Sequence, residues 1–368
     1  MKSKTLHVDK KALTSFCNSV FLKTGLNKDD SRQAAEVLVA ADARGIPSHG
    51  IGRLWRYVNG LQTGLMRPDA RIKTVFETPM SIVVDADGGM GAPVSVKTMK
   101  TVIEKAEKAG AAFGCVKNSN HFGIAGYYAM MALERNMIGI AMTNTAALGV
   151  PTFGRQVMFG TNPLAFAAPA KKEKGFVLDM STTVVTRGKI EVYEREKKTL
   201  PFGWAVDKTG LPAQDAGKIL LDMFHRHGGG ILPLGGIGEE FGGHKGYGLA
   251  VMVDILCAVL GGAPNGTDIC DTETSSARVS HFFGAIKIAA FREPTSFRKD
   301  MDLMLEKLRE CPAAKGAERV YFAGQKEFEE ENKSGKNGVP LTKKTYDSIS
   351  EIGLKLGLKP PTVIRNKG

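Results

Sequence analysis

The sequence predicts an α/β protein that begins with a helical unit. Apolar residues recur every three or four positions over residues 9–43, which is the spacing of helices that bury one face. After residue 68, short strand-like segments alternate with helical ones, and this rhythm favours an α/β sheet. The chain has 368 residues, more than the roughly 250–300 that one hydrophobic core usually serves, so more than one packed unit is expected.

Each element of this prediction follows from a local pattern. Asp29 and Asp30 mark the start of the second helix, because negative charge is favoured in a first helical turn. Ile349, Ile352 and Leu356 lie on one face of a final helix, which suits packing against the N-terminal helices. The strands predicted in the rest of the chain span 81–87, 111–117, 138–143, 164–169, 176–180 and 282–291, and the helices span 93–109, 248–260, 296–309 and 342–358.

The charge of the chain favours small anionic ligands. It carries 50 Lys and Arg against 38 Asp and Glu, a formal net charge of +12, which suits nucleic acids and equally dicarboxylates or dinucleotides. Aromatic residues make up only 7% and the lysines are spread along the chain, so a nucleic-acid surface is disfavoured. The polar N-terminus, and Asp254 within the longest apolar run at 246–263, predict neither a signal peptide nor a membrane span. A cytoplasmic protein is therefore expected.

The cysteines and histidines show no metal-binding spacing. His225 and His227 form an HxH pair without a third ligand at a metal-site spacing, so no metal is predicted. The sequence also lacks a GxGxxG turn after a strand and a P-loop, which excludes the usual Rossmann and P-loop phosphate sites. The five cysteines lack a CxxC pair and are predicted to be reduced packing residues: Cys17, Cys115, Cys257, Cys270 and Cys311.

Two histidines lie in surroundings that suit acid–base chemistry. His121 follows a predicted strand and precedes a helix of small residues, the position where α/β folds place active residues. His49 lies in the stretch PSHGIGRLWRY, which also carries Ser48, Arg53 and Tyr57. An imidazole with its ordinary pKa of about 6.5 exchanges protons near neutral pH. From the local pattern alone, a core or helix-capping histidine stays an open alternative.

Short polar side chains also cluster at 143–145, 160–163 and 179–183, next to predicted strands. Hydroxyl and amide groups, with backbone N–H groups at strand ends, bind the oxygens of a dinucleotide or a carboxylate. Each of these loops taken alone is equally explained as ordinary turn chemistry. Their combination favours an anion-binding site.

These segments together resemble the second malate/L-lactate dehydrogenase family, a non-Rossmann group that includes sulfolactate and ureidoglycolate dehydrogenases and 2,3-diketogulonate reductase. The GGHKGYGL block and the passage GKIEVYEREKKTLPFGWAV are most similar to its malate dehydrogenase subgroup. The resemblance runs in unbroken order from about residue 41 to residue 357 and rests on the blocks PSHGIGRLWRY, SNHFGIAGYYA, TNT, FGTNPLAFAAP, LDMSTTVVTRGKIEVY, LPLGGIGEEFGGHKGYGLAVMVDIL, HFFGAIKI and VYFAGQKE.

The resemblance implies an NAD(P)-dependent oxidoreductase acting on a CH–OH group. The leading expectation is reversible hydride transfer between (S)-malate and oxaloacetate, with NAD as the cofactor and NADP as the alternative. Other 2-hydroxy acids (L-lactate, L-sulfolactate, ureidoglycolate) or a diketo sugar acid are the alternative substrates. The implied fold is a three-layer mixed-sheet α/β domain of non-Rossmann topology at 76–295 that binds cofactor and substrate. A helical domain at 1–75, with 296–368 packing back on it, and a homodimer with sites near the subunit boundary complete the expectation.

The same resemblance assigns roles residue by residue. His121 matches the proton acceptor of ureidoglycolate dehydrogenases, and His49 matches the proton donor of diketogulonate reductases, so the family offers two candidates for the acid–base group. The catalytic set is completed by Ser48 and Lys245, and the substrate-binding set consists of Arg53, Tyr57, Asn144 and Thr145. The cofactor-binding set consists of Asp179, Met180, Ser181, Thr182, His244, Lys245, Gly324, Gln325 and Lys326.

In the expected mechanism His121 takes the hydroxyl proton while hydride leaves C2, and Arg53 fixes the carboxylate through its two-point fork. Lys245 would hold cofactor or substrate oxygens. Arg56 and Arg187 are candidates for a second carboxylate, with a solvated surface position as the alternative for both. Two departures from the family pattern are noted: Phe153 stands where relatives commonly have glycine, and Gln325 stands where many have glutamate.

Overall fold

The structure is a computed structural model that describes residues 5–270, 272, 274 and 276–364. The helices are α1 (Lys10–Lys23), α2 (Lys28–Ala43), α3 (Leu54–Gln62), α4 (Gly91–Ala109), α5 (Ala125–Met130), α6 (Arg187–Arg195), α7 (Ala216–His225), α8 (Gly243–Asp254), α9 (Pro294–Arg309), α10 (Gln325–Asn337) and α11 (Lys343–Lys355). The strands are β1 (Thr5–Val8), β2 (Lys73–Glu77), β3 (Ser81–Asp85), β4 (Ala111–Ser119), β5 (Met137–Thr143), β6 (Leu164–Ala168), β7 (Phe176–Met180), β8 (Ala205–Val206), β9 (Pro212–Ala213), β10 (Gly230–Ile231), β11 (Val279–Lys287) and β12 (Val339–Thr342).

The main sheet has seven strands in the order β2-β3-β4-β11-β5-β6-β7. Strands β3 and β4 pair in parallel and every other neighbouring pair is antiparallel. The late strand β11 is inserted between β4 and β5, so it lies at the centre of the sheet. Helices α4 and α5 cover one face, and α8 with the π-helical turn Ile255–Val259 covers part of the other. This arrangement confirms the predicted three-layer mixed sheet of non-Rossmann topology.

Both chain ends build the helical part, as predicted. Asn27 caps α2 by accepting hydrogen bonds from the backbone N–H groups of Asp29 and Asp30, at the predicted helix start. Strand β1 pairs antiparallel with β12. Residues of α1, α2, α3 and α11 share one apolar cluster, which contains Leu13 and Ile349. Burying such a cluster is the main favourable term that holds the two ends together.

Helix α9 belongs to a different part of the molecule. Its Leu305 packs with Ala170 and Phe322, beside the outer strand of the main sheet. The domain boundaries at 75/76 and 295/296 stay predictions. A further small sheet, β10-β8-β9, forms its own apolar cluster with α6 and α7 within residues 150–232, which periodicity did not indicate.

Several element limits differ from the sequence prediction. Strand β11 begins at Val279 and ends at Lys287, where a 3₁₀ turn takes over. Strand β2 was not predicted, because all five of its residues are exposed and show no alternation. Helix α8 begins at Gly243, earlier than the predicted residue 248. A Cβ at Gly246 would lie 2.1 Å from the carbonyl oxygen of Leu234, so close backbone packing, rather than helix propensity, requires this glycine.

The cysteines correct one prediction. Cys17, Cys115 and Cys257 are buried, as expected of packing residues, whereas Cys270 and Cys311 are exposed. The two exposed ones follow turns or helix ends, where no periodic pattern reports burial. Among the residues that the structure describes, no helix has the length and apolar character needed to span a bilayer.

Candidate active site

The segment that carries Ser48 and His49 is fixed by a hydrogen bond to the buried carboxylate of Asp42. Residues 47–53 form two short 3₁₀ turns that lead into α3. Asp42 of α2 accepts the backbone N–H of Ile51 at 2.5 Å, and burial raises the pKa of this carboxyl group to about 7. A Cβ at Gly50 would lie 2.2 Å from an Asp42 oxygen. Only glycine therefore allows this turn to close over Asp42.

Helix α3 brings Tyr57 to His121 across 64 positions of the chain. The Tyr57 hydroxyl lies 2.5 Å from Nδ1 of His121, and the backbone N–H of Gly123 donates to the same nitrogen at 3.3 Å. Because an N–H group can only donate, Nδ1 is the acceptor, and neutral His121 carries its proton on Nε2. Tyr57 is only 1% exposed and its ring packs in the helical cluster. The structure thus places its hydroxyl, rather than its ring, at the site.

His49 and His121 face one another. Their rings stack with centroids 5.5 Å apart and an interplanar angle of 17°. The Ser48 hydroxyl lies 2.9 Å from Nδ1 of His49. Burial, and then the charge of Arg53, lower the pKa of His49 to about 4. Burial, reinforced by His49 and two arginines, lowers the pKa of His121 well below its usual value, so both rings are neutral near pH 7.

The arginines of this segment place positive charge beside the two histidines. Nε of Arg53 donates to the carbonyl oxygen of Ser48 at 2.7 Å, which orients the end of the side chain. Arg53 and Arg56 both contribute to the lowered pKa of His121, so both lie close enough to favour an anion there. Arg187, the other predicted candidate for a second carboxylate, bonds Glu191 at 2.9 Å on the exposed face of α6. That contact matches the surface alternative.

A buried aromatic stack supports the loop of His121 from behind. Phe122 lies between Tyr128, at 4.8 Å, and His281, at 4.5 Å between ring centroids. His281 has a hydroxyl partner at each ring nitrogen, Thr143 at 2.7 Å and Ser119 at 2.9 Å. Burial lowers the pKa of His281 to about 3, so the ring is neutral. Its two hydrogen bonds link β11 to β4 and β5. His281 was not among the predicted site residues, although a single imidazole in an otherwise apolar strand is an available signal.

The loops after β5 and before β6 lie side by side. The Thr145 hydroxyl accepts the backbone N–H of Thr161 at 3.0 Å, and both residues are partly exposed. The Asn144 side chain is fully buried and bonds Asp254 and the backbone N–H of Ser280. Thr145 is therefore the accessible member of this predicted substrate-binding pair, and Asn144 is not.

The residues predicted to bind a cofactor come from three segments, 179–182, 244–245 and 324–326. Asp179, at the end of β7, accepts the backbone N–H of Gly126 at 2.7 Å and stays exposed. Crowding by surrounding protein raises the pKa of its carboxyl group to about 6. The contact ties β7 to α5, the helix that follows His121. Met180 and Ser181 are partly exposed beside it, while Thr182 is buried and bonds the carbonyl oxygens of Thr161 and Asn162.

The other predicted cofactor residues open two helices. His244 and Lys245 are exposed in the first turn of α8, where backbone N–H groups favour anions. Gly324 precedes α10 with φ of 91° and packs against Val177 of β7. Gln325 donates to Glu329 at 3.1 Å, and the Lys326 ammonium lies 4.0 Å above the Tyr321 ring. The backbone bond from Val177 to Ala323, at 3.0 Å, places this turn next to the Asp179 strand.

Comparison with known proteins decides the family. A family model described as malate/L-lactate dehydrogenase matches residues 8–350. The chain belongs to the malate/L-lactate dehydrogenase family. This confirms the resemblance stated from the sequence blocks, and it makes the chain an oxidoreductase acting on a CH–OH group.

Individual members of the malate/L-lactate dehydrogenase family match over nearly the full length. The chain is 42% identical to a malate dehydrogenase of Pyrococcus abyssi over 96% of both chains. It is 39% identical to an L-sulfolactate dehydrogenase of Methanocaldococcus jannaschii, over 92% of this chain and 94% of that one. The crystal structure of malate dehydrogenase from Entamoeba histolytica superposes with a TM-score of 0.93 at 33% identity, covering 98% of this chain and 100% of that chain.

Within this malate/L-lactate dehydrogenase, the departure at Phe153 has a structural context. Phe153 has φ of 65°, in the left-handed region that favours glycine, and its side chain is 83% exposed. A glycine at this position would adopt the same turn without strain. Phenylalanine is therefore retained here despite an unfavourable backbone, and it adds an aromatic ring to the exposed surface of this loop.

Proposed function

We propose that the chain is an NAD(P)-dependent malate dehydrogenase that interconverts (S)-malate and oxaloacetate. The observation that carries this proposal is the convergence of His121, His49 and Arg53 in one positive cleft, with the Tyr57 hydroxyl fixing His121 at 2.5 Å. A 2-hydroxy acid needs one group to exchange the hydroxyl proton and one cation to hold the carboxylate. The high identity to malate dehydrogenases over the whole chain supports malate as the substrate.

In malate oxidation His121 removes the proton from the C2 hydroxyl group. A neutral ring is required for this step, and the lowered pKa of His121 supplies it at neutral pH. To accept a proton at Nε2, the ring must hold its own proton on Nδ1. The Tyr57 hydroxyl can accept that proton as readily as it donates to the bare nitrogen, so this contact is kept in both tautomers, whereas the 3.3 Å contact from the Gly123 N–H group exists only in the tautomer with a bare Nδ1 and is lost in the reactive one. In the reverse direction protonated His121 donates to the alkoxide.

Arg53 orients the substrate carboxylate in this proposal, and Ser48 with His49 forms the neighbouring hydrogen-bonding pair. Because two stacked cationic rings with centroids 5.5 Å apart would repel, His49 stays neutral while His121 holds the proton taken from the substrate. Arg56 is the proposed partner of the distal carboxylate, since it lies in the same charged cluster as Arg53.

The segments around Asp179, His244 and Gln325 fit a dinucleotide. Asp179 offers an exposed carboxylate of the kind that binds ribose hydroxyls, and the first turn of α8 offers backbone N–H groups and Lys245 for pyrophosphate oxygens. When bound, the nicotinamide ring accepts a hydride from C2 or returns it. We propose NAD as the principal cofactor, with NADP as the alternative.

A homodimer forms part of the proposal. On the second face of the main sheet, Phe113 and Ile140 pack against residues of α8 and its π-helical turn. The outer side of this turn exposes Ile255 and Val259, each more than half exposed, together with the adjacent Leu260. A second copy of the chain is the proposed cover, since exposed apolar patches commonly mark association sites. The cytoplasm is the proposed location, consistent with the exposed thiol of Cys311.

Val259→Glu is expected to convert the dimer into a monomer, because a carboxylate would be desolvated at the centre of the apolar contact. Sedimentation analysis of the wild type should give twice the mass of one chain, and that of the variant should give a single chain. Leu354→Glu, at a 66% exposed position of α11, is the matched control and should stay dimeric. A monomeric wild type would contradict the proposal.

The substrate proposal is tested by initial rates with oxaloacetate, pyruvate, sulfopyruvate and diketogulonate, each with NADH and NADPH. Oxaloacetate is expected to give the highest kcat/KM, because only it places a second carboxylate in this arginine cluster. A preference for sulfopyruvate, pyruvate or diketogulonate would reassign the substrate within the family. No change in NADH absorbance with any of the four would indicate a binding protein without catalysis, and duplex DNA binding that survives about 200 mM salt would indicate a nucleic-acid protein.

A further inference from the structure

Asp254 lies at the last turn of α8 and receives two buried carboxamides. Its Oδ1 accepts Nδ2 of Asn144 at 3.2 Å, and its Oδ2 accepts Nδ2 of Asn162 at 2.9 Å. Both asparagines are fully buried and Asp254 is 8% exposed. The backbone N–H of Gly266 provides a third donor. Each of these partners is a neutral N–H group, so Asp254 acts as an acceptor toward all of them.

The side-chain oxygens of the two asparagines connect Asp254 to the loops of the site through further hydrogen bonds. Oδ1 of Asn162 accepts the backbone N–H of Thr145 at 3.2 Å, and Oδ1 of Asn144 accepts the backbone N–H of Ser280 at 2.8 Å. Asn162 also donates to the carbonyl oxygen of Ala250 in α8. The loops 143–145 and 160–163 are therefore tied to one carboxylate, and the Thr145–Thr161 contact at 3.0 Å is set by that arrangement.

We propose that Asp254 is a positioning residue for substrate binding, acting through Asn144 and Asn162 on the Thr145 hydroxyl. A carboxylate is required because both carboxamides point an NH₂ group at the same residue, and only two acceptor oxygens satisfy both. An amide at this position would turn one NH₂ group against another NH₂ group. One of the loops 143–145 and 160–163 would then lose its hydrogen bond to residue 254 and shift, and the hydroxyl of Thr145 would shift with it. This inference rests on the proposed function only in taking Thr145 as a substrate contact.

Asp254→Asn is expected to raise the KM for oxaloacetate roughly tenfold, with kcat at saturation changed less than about threefold. The double variant Asn144→Asp with Asp254→Asn exchanges donor and acceptor across the same contact. In it, the new amide at position 254 donates to the carboxylate at 144 and accepts from Asn162. The 3.3 Å contact from Nδ2 of Asn144 to the carbonyl oxygen of Pro264 is lost, so the KM should return most of the way toward the wild-type value. A residue that merely stabilises the fold would lower the melting temperature without this division between KM and kcat.

Asp222→Asn is the matched control. Asp222 is a buried acid of α7, the helix that packs on the small sheet, and its replacement should leave the KM unchanged. An unchanged KM in Asp254→Asn, or a double variant with KM still raised tenfold, would overturn the proposal. If Asp254→Asn does not fold, the double variant decides: a wild-type KM supports the pairing and a raised KM refutes it.

The test separates this inference from the substrate proposal. The comparison is made with whichever keto acid the wild-type enzyme reduces fastest, so a substrate other than oxaloacetate would correct the proposed function and leave the Asp254 test intact. Conversely, rapid oxaloacetate reduction by the wild type together with an unaltered Asp254→Asn variant would refute only the positioning role.

Discussion

His121→Ala is expected to lower the kcat for malate oxidation by roughly 10²–10⁴-fold, the usual contribution of a general acid–base group. The side chain is partly exposed in the cleft and makes a defined contact with Tyr57, so its loss removes the proton acceptor without emptying a core position. The free energy of unfolding should change far less than the rate does. Steady-state kinetics and thermal unfolding of the same preparation provide both measurements.

His225→Ala is the matched control for that variant. His225 lies at the end of α7 with its ring stacked on His227 at 5.2 Å, and its removal should leave kcat unaffected. A near-normal kcat in His121→Ala, combined with a large loss in His49→Ala, would transfer the acid–base role to His49. Equal losses in both would indicate that the stacked pair shares the proton.

The pH dependence gives an independent check on the same residue. Burial and neighbouring positive charges lower the pKa of His121 in the free enzyme, so the neutral base persists to more acidic pH than an ordinary histidine allows. The kcat/KM for malate oxidation should stay level as the pH falls from about 8 to about 6.5, and decline only below that. A decline centred at or above about 6.5 would contradict the lowered pKa.

Local surroundings in the sequence were enough to select His121 and His49, whereas the roles of Ser48 and Arg53 came from the resemblance to the family. Which of these side chains contact one another could not be predicted from the sequence. The hydrogen bond between Tyr57 and His121 joins residues that are 64 positions apart in the sequence. No local pattern specifies which groups meet at such a separation. Within α3, Leu54 and Val58 are both buried, which matches the four-residue spacing of one helix face.

The supporting residues were missed for a different reason. His281, Asp42 and Asp254 lie within apolar runs, where one polar side chain marks the position as unusual but does not reveal its partners. The fold brings those partners to it. His281 lies in the strand that is inserted between β4 and β5, and that insertion joins segments separated by more than 130 positions. Strand order of this kind depends on the packing of the whole sheet rather than on any single segment.

Arg53→Met is expected to raise the KM for oxaloacetate roughly 100-fold, because a carboxylate would lose a charge-assisted two-point contact worth about 1.5–3 kcal/mol. Arg53→Lys keeps the charge and loses the fork, and it should fall between the wild type and Arg53→Met. Both variants also lose the Nε contact to the Ser48 carbonyl oxygen at 2.7 Å, so a modest decrease in kcat is expected as the Ser48–His49 pair shifts.

Arg195→Met is the control for a lost surface arginine, since Arg195 is exposed at the end of α6, and its KM values should equal those of the wild type. The KM for the nicotinamide cofactor should be unaffected by Arg53→Met, which separates loss of carboxylate binding from a general collapse of the cleft. If Arg53→Met instead leaves the KM for oxaloacetate unchanged and Arg56→Met raises it, then Arg56 holds the reacting carboxylate. The substrate carboxylate would in that case lie about one helical turn further along α3. Arg53 would then only hold the Ser48 loop in place through its hydrogen bond to the Ser48 carbonyl oxygen.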